Sequence, residues 1–213
     1  YNFLESSTKV TIVEKGNTIV DDFPIGVFSL KFHPEVGPWF DKEKEIFVDL
    51  SKVFGPHKSF VETFYKGFEN RNRSTGVLLT GLKGTGKTLI SKMLAKKFTD
   101  KKLPVIIIDR NIPTTVISDV LSKIETEVLI IIDEFEKNYE INEQNQLLNF
   151  LDGAHTTKRM VVIIANKESK LTDYIINRPN RMLFRKHFTG LDVHELEELL
   201  FNLNVPKESE LYR

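Results

Sequence analysis

The stretch GLKGTGKT, residues 81 to 88, fits the pattern G-x-x-x-x-G-K-[ST] at every fixed position. The apolar run GVLLT precedes it and KTLISKMLAKKF follows, so the motif sits between a predicted buried strand and a predicted helix. Glycines let the backbone curl into a nest whose N–H groups converge on phosphate oxygens, and the helix N-terminus adds partial positive charge. Gly81, Lys83, Gly84, Thr85, Gly86, Lys87, Thr88 and Leu89 are the candidate nucleotide-binding set. Lys87 is expected to reach the β- and γ-phosphates, and the Thr88 hydroxyl to ligate Mg²⁺.

Downstream, apolar strands alternate with amphipathic helices. PVIIID, VLIIID, MVVIIA and MLFRKHF read as strands; TTVISDVLSKI, NEQNQLLNFLD and LTDYIIN read as helices. Buried β runs alternating with helices predict an α/β fold, a parallel sheet covered on both faces. Upstream, KSFVETFYKGFEN reads as an amphipathic helix with Phe60, Val61, Phe64 and Phe68 on one side. KVTIVEKGNTIV and GVFSLKF read as short strands of a small β element packed by phenylalanine. Near the C-terminus, LDVHELEELLFNL opens with Asp192 and places Glu195 three residues on, an Asp variant of the capping box.

The strand ends carry further chemistry. Asp133 ends VLIIID, so its carboxylate emerges at the carboxyl edge of the sheet beside the phosphate loop, where it can hold Mg²⁺. Glu134 follows at once and can orient and deprotonate an attacking water. Asn166 ends the next strand; its amide can donate to a γ-phosphate oxygen and accept from the same water. Later, INRPNRM places Arg178 and Arg181 on one turn.

In the order GVLLTGLKGTGKT, VLIIIDEFEK, LLNFLDGAHTTKRMVVIIANKE and IINRPNRM, the chain resembles the AAA+ ATPases, within the AAA subfamily proper. The LDG turn and the NRPNR stretch look most like phage-encoded AAA ATPases and the mitochondrial inner-membrane AAA chaperone for the Rieske protein. The resemblance implies a P-loop NTPase with Walker A and Walker B motifs and a five-stranded parallel sheet of the AAA+ type. It implies ATP/ADP and Mg²⁺ as cofactors. It assigns Arg178 and Arg181 as arginine fingers acting on the ATP of a neighbouring subunit, with no order of importance between them. A homo-oligomer, a hexamer by preference, is the implied assembly. By the same likeness KVFG, residues 52 to 55, offers Val53, Phe54 and Gly55 as adenine contacts, with core packing by Phe54 the competing reading. Residues 1–48 are expected to form an N-terminal β-containing element, 49–188 the ATP-binding α/β subdomain, and 189–213 the start of a helical lid that is either reduced or cut. The family's pore loop carries an aromatic residue and a glycine; the matching RNIPTTVIS has neither.

Composition narrows the classes. Lys+Arg and Asp+Glu both number 30, a formal net charge of +0, which disfavours a strongly basic nucleic-acid binder without forbidding a local patch. The lack of cysteine rules out disulfides and thiolate metal sites and fits a reducing, cytoplasmic setting. No apolar run reaches the roughly 20 residues of a membrane-spanning helix, and no signal peptide is visible in YNFLESSTKV. That start lacks an initiator Met, so a trimmed chain is expected. The leading expectation is a ring-forming ATPase that remodels a protein or protein complex. A DNA-replication loader ATPase and a slow nucleotide-gated assembly module are the alternatives.

Overall fold

The computed structural model describes residues 2–5, 9–13, 22–44, 53, 55–151, 157–176 and 182–190, with 197, 200 and 201. The chain opens with four strands: β1 (Asn2–Glu5), β2 (Lys9–Val13), β3 (Val27–His33) and β4 (Gly37–Lys42). Helix α1 (His57–Glu69) leads into β5 (Thr75–Gly81), α2 (Lys87–Asp100), β6 (Val105–Ile108), α3 (Thr114–Ser122) and β7 (Val128–Ile132). The one-turn helix α4 (Phe135–Asn138), α5 (Ile141–Leu151), β8 (Arg159–Ala165), a short 3-10 turn (Glu168–Lys170), α6 (Asp173–Ile176) and β9 (Met182–Phe188) complete the described elements.

Strands β6-β7-β8-β5-β9 lie side by side, all parallel. Their apolar runs are continuous because both faces are covered. Along β7, Val128, Ile130 and Ile132 enter one cluster with Ile117, Leu121 and Leu147, while Leu129 and Ile131 enter the other with Phe68, Ile90 and Phe98. Helices α3 and α5 therefore serve one face, α1 and α2 the other.

The sheet does not stop at the five strands expected. Among the described residues it has nine, in the order β1-β2-β4-β3-β6-β7-β8-β5-β9. β3 lies parallel to β6, with Val27 opposite Val105, Phe28 opposite Ile106 and Ser29 opposite Ile107. β4, β2 and β1 then follow antiparallel. The N-terminal β residues are thus continuous with the main sheet. The physical reason is the outer edge of β6, whose apolar residues and unpaired backbone groups would otherwise face water. Ser29, buried at this join, donates its hydroxyl to Glu43 Oε1 at 2.5 Å, so no orphan polar atom is left there. Lys31 closes the seam through an ion pair with Asp109 at 3.3 Å.

The capping box at Asp192 and Glu195 lies outside the described residues; Glu197, Leu200 and Phe201 are helical. Among the described residues no helix is long and apolar enough to cross a membrane.

Candidate functional site

The phosphate loop joins β5 to α2 as its sequence predicts. Two glycines show why. Gly81 has φ +127, and a Cβ there would lie 2.0 Å from the Phe188 carbonyl oxygen. Gly86 has φ +98, and a Cβ there would lie 2.3 Å from His57 Nε2. Only glycine meets both demands, a left-handed backbone and a neighbour in near contact. Thr85 Oγ1 donates to the Leu82 carbonyl at 2.7 Å and tightens the loop. Lys87 is buried, and its Nζ donates to the carbonyls of Gly81 and Leu82 at 2.5 and 2.6 Å.

A cleft of about 410 Å³ lies over this loop. Lys83, Gly84, Gly86, Lys87, Thr88, Leu89, Asp133, Glu134 and Asn166 all line it, with Ile164 added by the structure. Three separate strand ends, those of β5, β7 and β8, are brought to one edge by the parallel order β7-β8-β5. Of the other expected contacts, Val53 packs against the core cluster beneath α1 and α2, and neither it nor Gly55 lines the cleft. Phe54, Arg178 and Arg181 lie outside the described residues.

The electrostatics are those of a cation site facing an acid pair. Burial pushes the Lys87 ammonium below its usual range, and the charges of Asp133 and Glu136 oppose that shift. Burial raises the Asp133 carboxyl; the Glu134 backbone N–H, donating to Asp133 Oδ1 at 2.7 Å, and Lys87 only partly offset it. Glu134 occupies the left-handed region at φ +48, uncommon for a residue other than glycine. Its carboxylate is engaged by Lys137 and, at 3.5 Å, by Lys83 of the phosphate loop. The hydrogen bond from Lys137 is the main cause that holds the Glu134 carboxyl below the ordinary range.

Thr88 is exposed on the first turn of α2, and its hydroxyl shares the cleft with the Asp133 carboxylate. Two hard oxygen donors beside a phosphate nest suit Mg²⁺. Nothing in the sequence had singled out Glu136. It is buried in α4, and its Oε1 accepts the Asn166 backbone N–H at 3.0 Å. Its only signal was a second acid two residues after Glu134. His57 is buried against Gly86 and stacks on Phe188 at 6.2 Å.

Comparison with known proteins bears on the family and the fold. The family model described as "ATPase family associated with various cellular activities (AAA)" matches residues 77–189. Over 146 residues the chain is 29% identical to the ATP-dependent zinc metalloprotease FtsH 2 of Sorangium cellulosum (strain So ce56), covering 59% of this chain and 24% of that protein. The chain thus spans about a quarter of that relative's length. The fold is similar to that of a chain in the solved E. coli MS115-1 HORMA:CdnC:Trip13 complex, with a TM-score of 0.56, 14% identity, and coverage of 76% of this chain and 73% of that one.

Proposed function

This chain belongs to the AAA family of ATPases, which bind nucleotide, and from that premise we propose that it hydrolyses ATP in a site completed by a neighbouring copy of itself. The observation that carries the reading is the convergence of Lys87, Thr88, Asp133, Glu134 and Asn166 on one cleft from three strand ends. In this reading the loop N–H groups and Lys87 bind the β- and γ-phosphates. Thr88 and Asp133 hold Mg²⁺, which when bound neutralises phosphate charge. Glu134 orients a water and takes its proton, and Asn166 fixes that water and a γ-oxygen. Lys83 and Lys137 keep Glu134 ionised, the form a base requires.

Arg178 and Arg181 are assigned to the ATP of the adjacent subunit. A planar guanidinium binds two phosphate oxygens at once and stabilises charge on the transferring group. Ring assembly, with a hexamer as the working size, follows from that assignment. We further propose that hydrolysis is coupled to remodelling a protein or protein complex. The structural neighbour from a HORMA:CdnC:Trip13 assembly supports a protein partner. RNIPTTVIS, without aromatic or glycine, argues against a grip built on aromatic side chains.

The decisive experiment measures ATPase rate per subunit against protein concentration, in wild type and in Arg178→Ala/Arg181→Ala. A specific rate that climbs with concentration, and collapses in the variant while ATP still binds, supports a shared site. A flat, mutation-insensitive rate overturns it. A second reading, the slow nucleotide-gated module, is favoured by one observation: two lysines already engage the Glu134 carboxylate. It predicts ATP-stabilised oligomers with almost no phosphate release.

A further inference from the structure

Asn166 stands one residue past the end of a strand. β8 stops at Ala165, which pairs with Thr80 on one side; on the other side the β7 ladder has already ended at Ile132, opposite Ile163. The Asn166 N–H is therefore beyond the ladder, and its partner is a side chain, Glu136 Oε1, at 3.0 Å. Glu136 lies 30 residues away in sequence but two residues from Glu134, on the turn that also carries Asp133.

The cost of this arrangement is conspicuous. Glu136 is 8% exposed, and its other oxygen, Oε2, is buried with no hydrogen-bond partner among the described residues. A half-satisfied buried carboxylate costs free energy that an apolar residue would not. The rest of α4 shows how firmly it is seated. Phe135 is fully buried against Tyr139, and Asn138 Nδ2 donates to the Asp133 carbonyl at 3.1 Å. The loop beyond Asn166 is pinned at its far end as well. Gln144 of α5 accepts the Thr172 N–H at 2.9 Å and donates to the Lys170 carbonyl at 3.0 Å.

We propose that Glu136 is a positioning residue for hydrolysis: its carboxylate fixes the Asn166 main chain, and so sets the Asn166 amide against Glu134 and the γ-phosphate. The assignment rests on the roles given above to Glu134 and Asn166. It treats the buried acid as a clamp between the two strand ends that must act on one water. Misplacement of a reacting or orienting group by about 1 Å can cost roughly 100-fold in rate, so a clamp of this kind has kinetic weight.

The test compares Glu136→Met, which keeps the length but offers only a weakly accepting sulfur, with Glu136→Gln, which keeps an acceptor oxygen. Both are also made with Asn166→Ala, and Glu134→Gln serves as a control. Turnover, binding of a fluorescent ATP analogue and melting temperature are measured on the whole chain. The expected result is a fall in kcat of about 10-fold or more for Glu136→Met, with nucleotide affinity within about threefold. Glu136→Gln recovers at least about half of the wild-type rate, and Glu136→Met adds little further loss when Asn166 is already alanine. If Glu136→Met does not fold, Glu136→Ala repeats the comparison with the volume removed. Equal losses in the Met and Gln variants would overturn the clamp. So would nucleotide binding that falls in step with kcat, or a loss undiminished in the Asn166→Ala background. If Asn166→Ala and Glu134→Gln both left turnover unchanged, the site reading itself would fall and the clamp with it. If they lower turnover and Glu136→Met does not, the clamp alone falls.

Discussion

At the scale of single residues, the cleft divides its acids by environment. Burial raises Asp133, whereas lysine contacts lower Glu134. The consequence for stability has a definite sign. A carboxyl whose folded pKa lies above its unfolded value binds more protons when folded, so its ionised form costs stability at neutral pH. That cost disappears as pH falls through the raised folded pKa. Asp133→Asn is therefore expected to melt higher than wild type at pH 7 while losing Mg²⁺-dependent turnover. The gap in melting temperature should narrow as scans are repeated at lower pH through the folded pKa. Glu134→Gln has a different signature: ATP still binds, but turnover falls by about 10²–10⁴, as removal of a general base does. Equilibrium binding and phosphate release on one preparation check both halves. Lys87→Ala should instead lose the binding, because its ammonium bridges the loop carbonyls of Gly81 and Leu82 beside the phosphate nest.

Among the elements, the β5–α2 turn tolerates the least. Gly81→Ala combines a left-handed backbone with a carbonyl oxygen 2.0 Å from the new methyl group, and should cost about 2–4 kcal/mol, read as a shifted urea midpoint. Gln144→Ala tests the staple between α5 and the loop after β8. Gln144 makes three backbone hydrogen bonds, to Tyr139, Lys170 and Thr172, and its loss should cost about 2–3 kcal/mol. The same elements show what a sequence can carry. Lys87 and Thr88 were legible from the phosphate-loop motif, and Asp133 and Asn166 because each follows an apolar run that marks a strand end, and strand ends of a parallel sheet share an edge. α4 was not legible, since four residues give no period to read. Glu136 escaped because its meaning is a contact with Asn166, 30 positions on. The alternation in VFSLKF announced β3 but could not name its neighbour, β6, more than 70 residues later. The segment holding Arg178 and Arg181 lies outside the described residues and stays a matter of motif and resemblance.

For the whole molecule, the proposed shared site gives a quantitative mixing test. Glu134→Gln subunits keep their arginines, and Arg178→Ala/Arg181→Ala subunits keep their base. Each alone should be nearly inactive, whereas an equal, randomly assembled mixture should recover about a quarter of the wild-type rate, since one junction in four unites an intact base with intact arginines. Failure of the mixture to exceed either parent would remove the trans assignment. The join between β3 and β6 makes a second demand. Removal of residues 1–44 would bare the edge formed by Val105, Ile106 and Ile107, and the shortened chain should aggregate where the full chain stays monodisperse, as light scattering would report. That join also has a mechanical meaning. β3 and β6 run parallel, and their ladder continues through β7, whose next residue is Asp133. A load applied to the N-terminal strands along their length pulls this ladder in shear, with its hydrogen bonds strained together rather than unzipped one by one. A cargo held by the first 44 residues would thus pull on the same rigid plate that ends at the nucleotide.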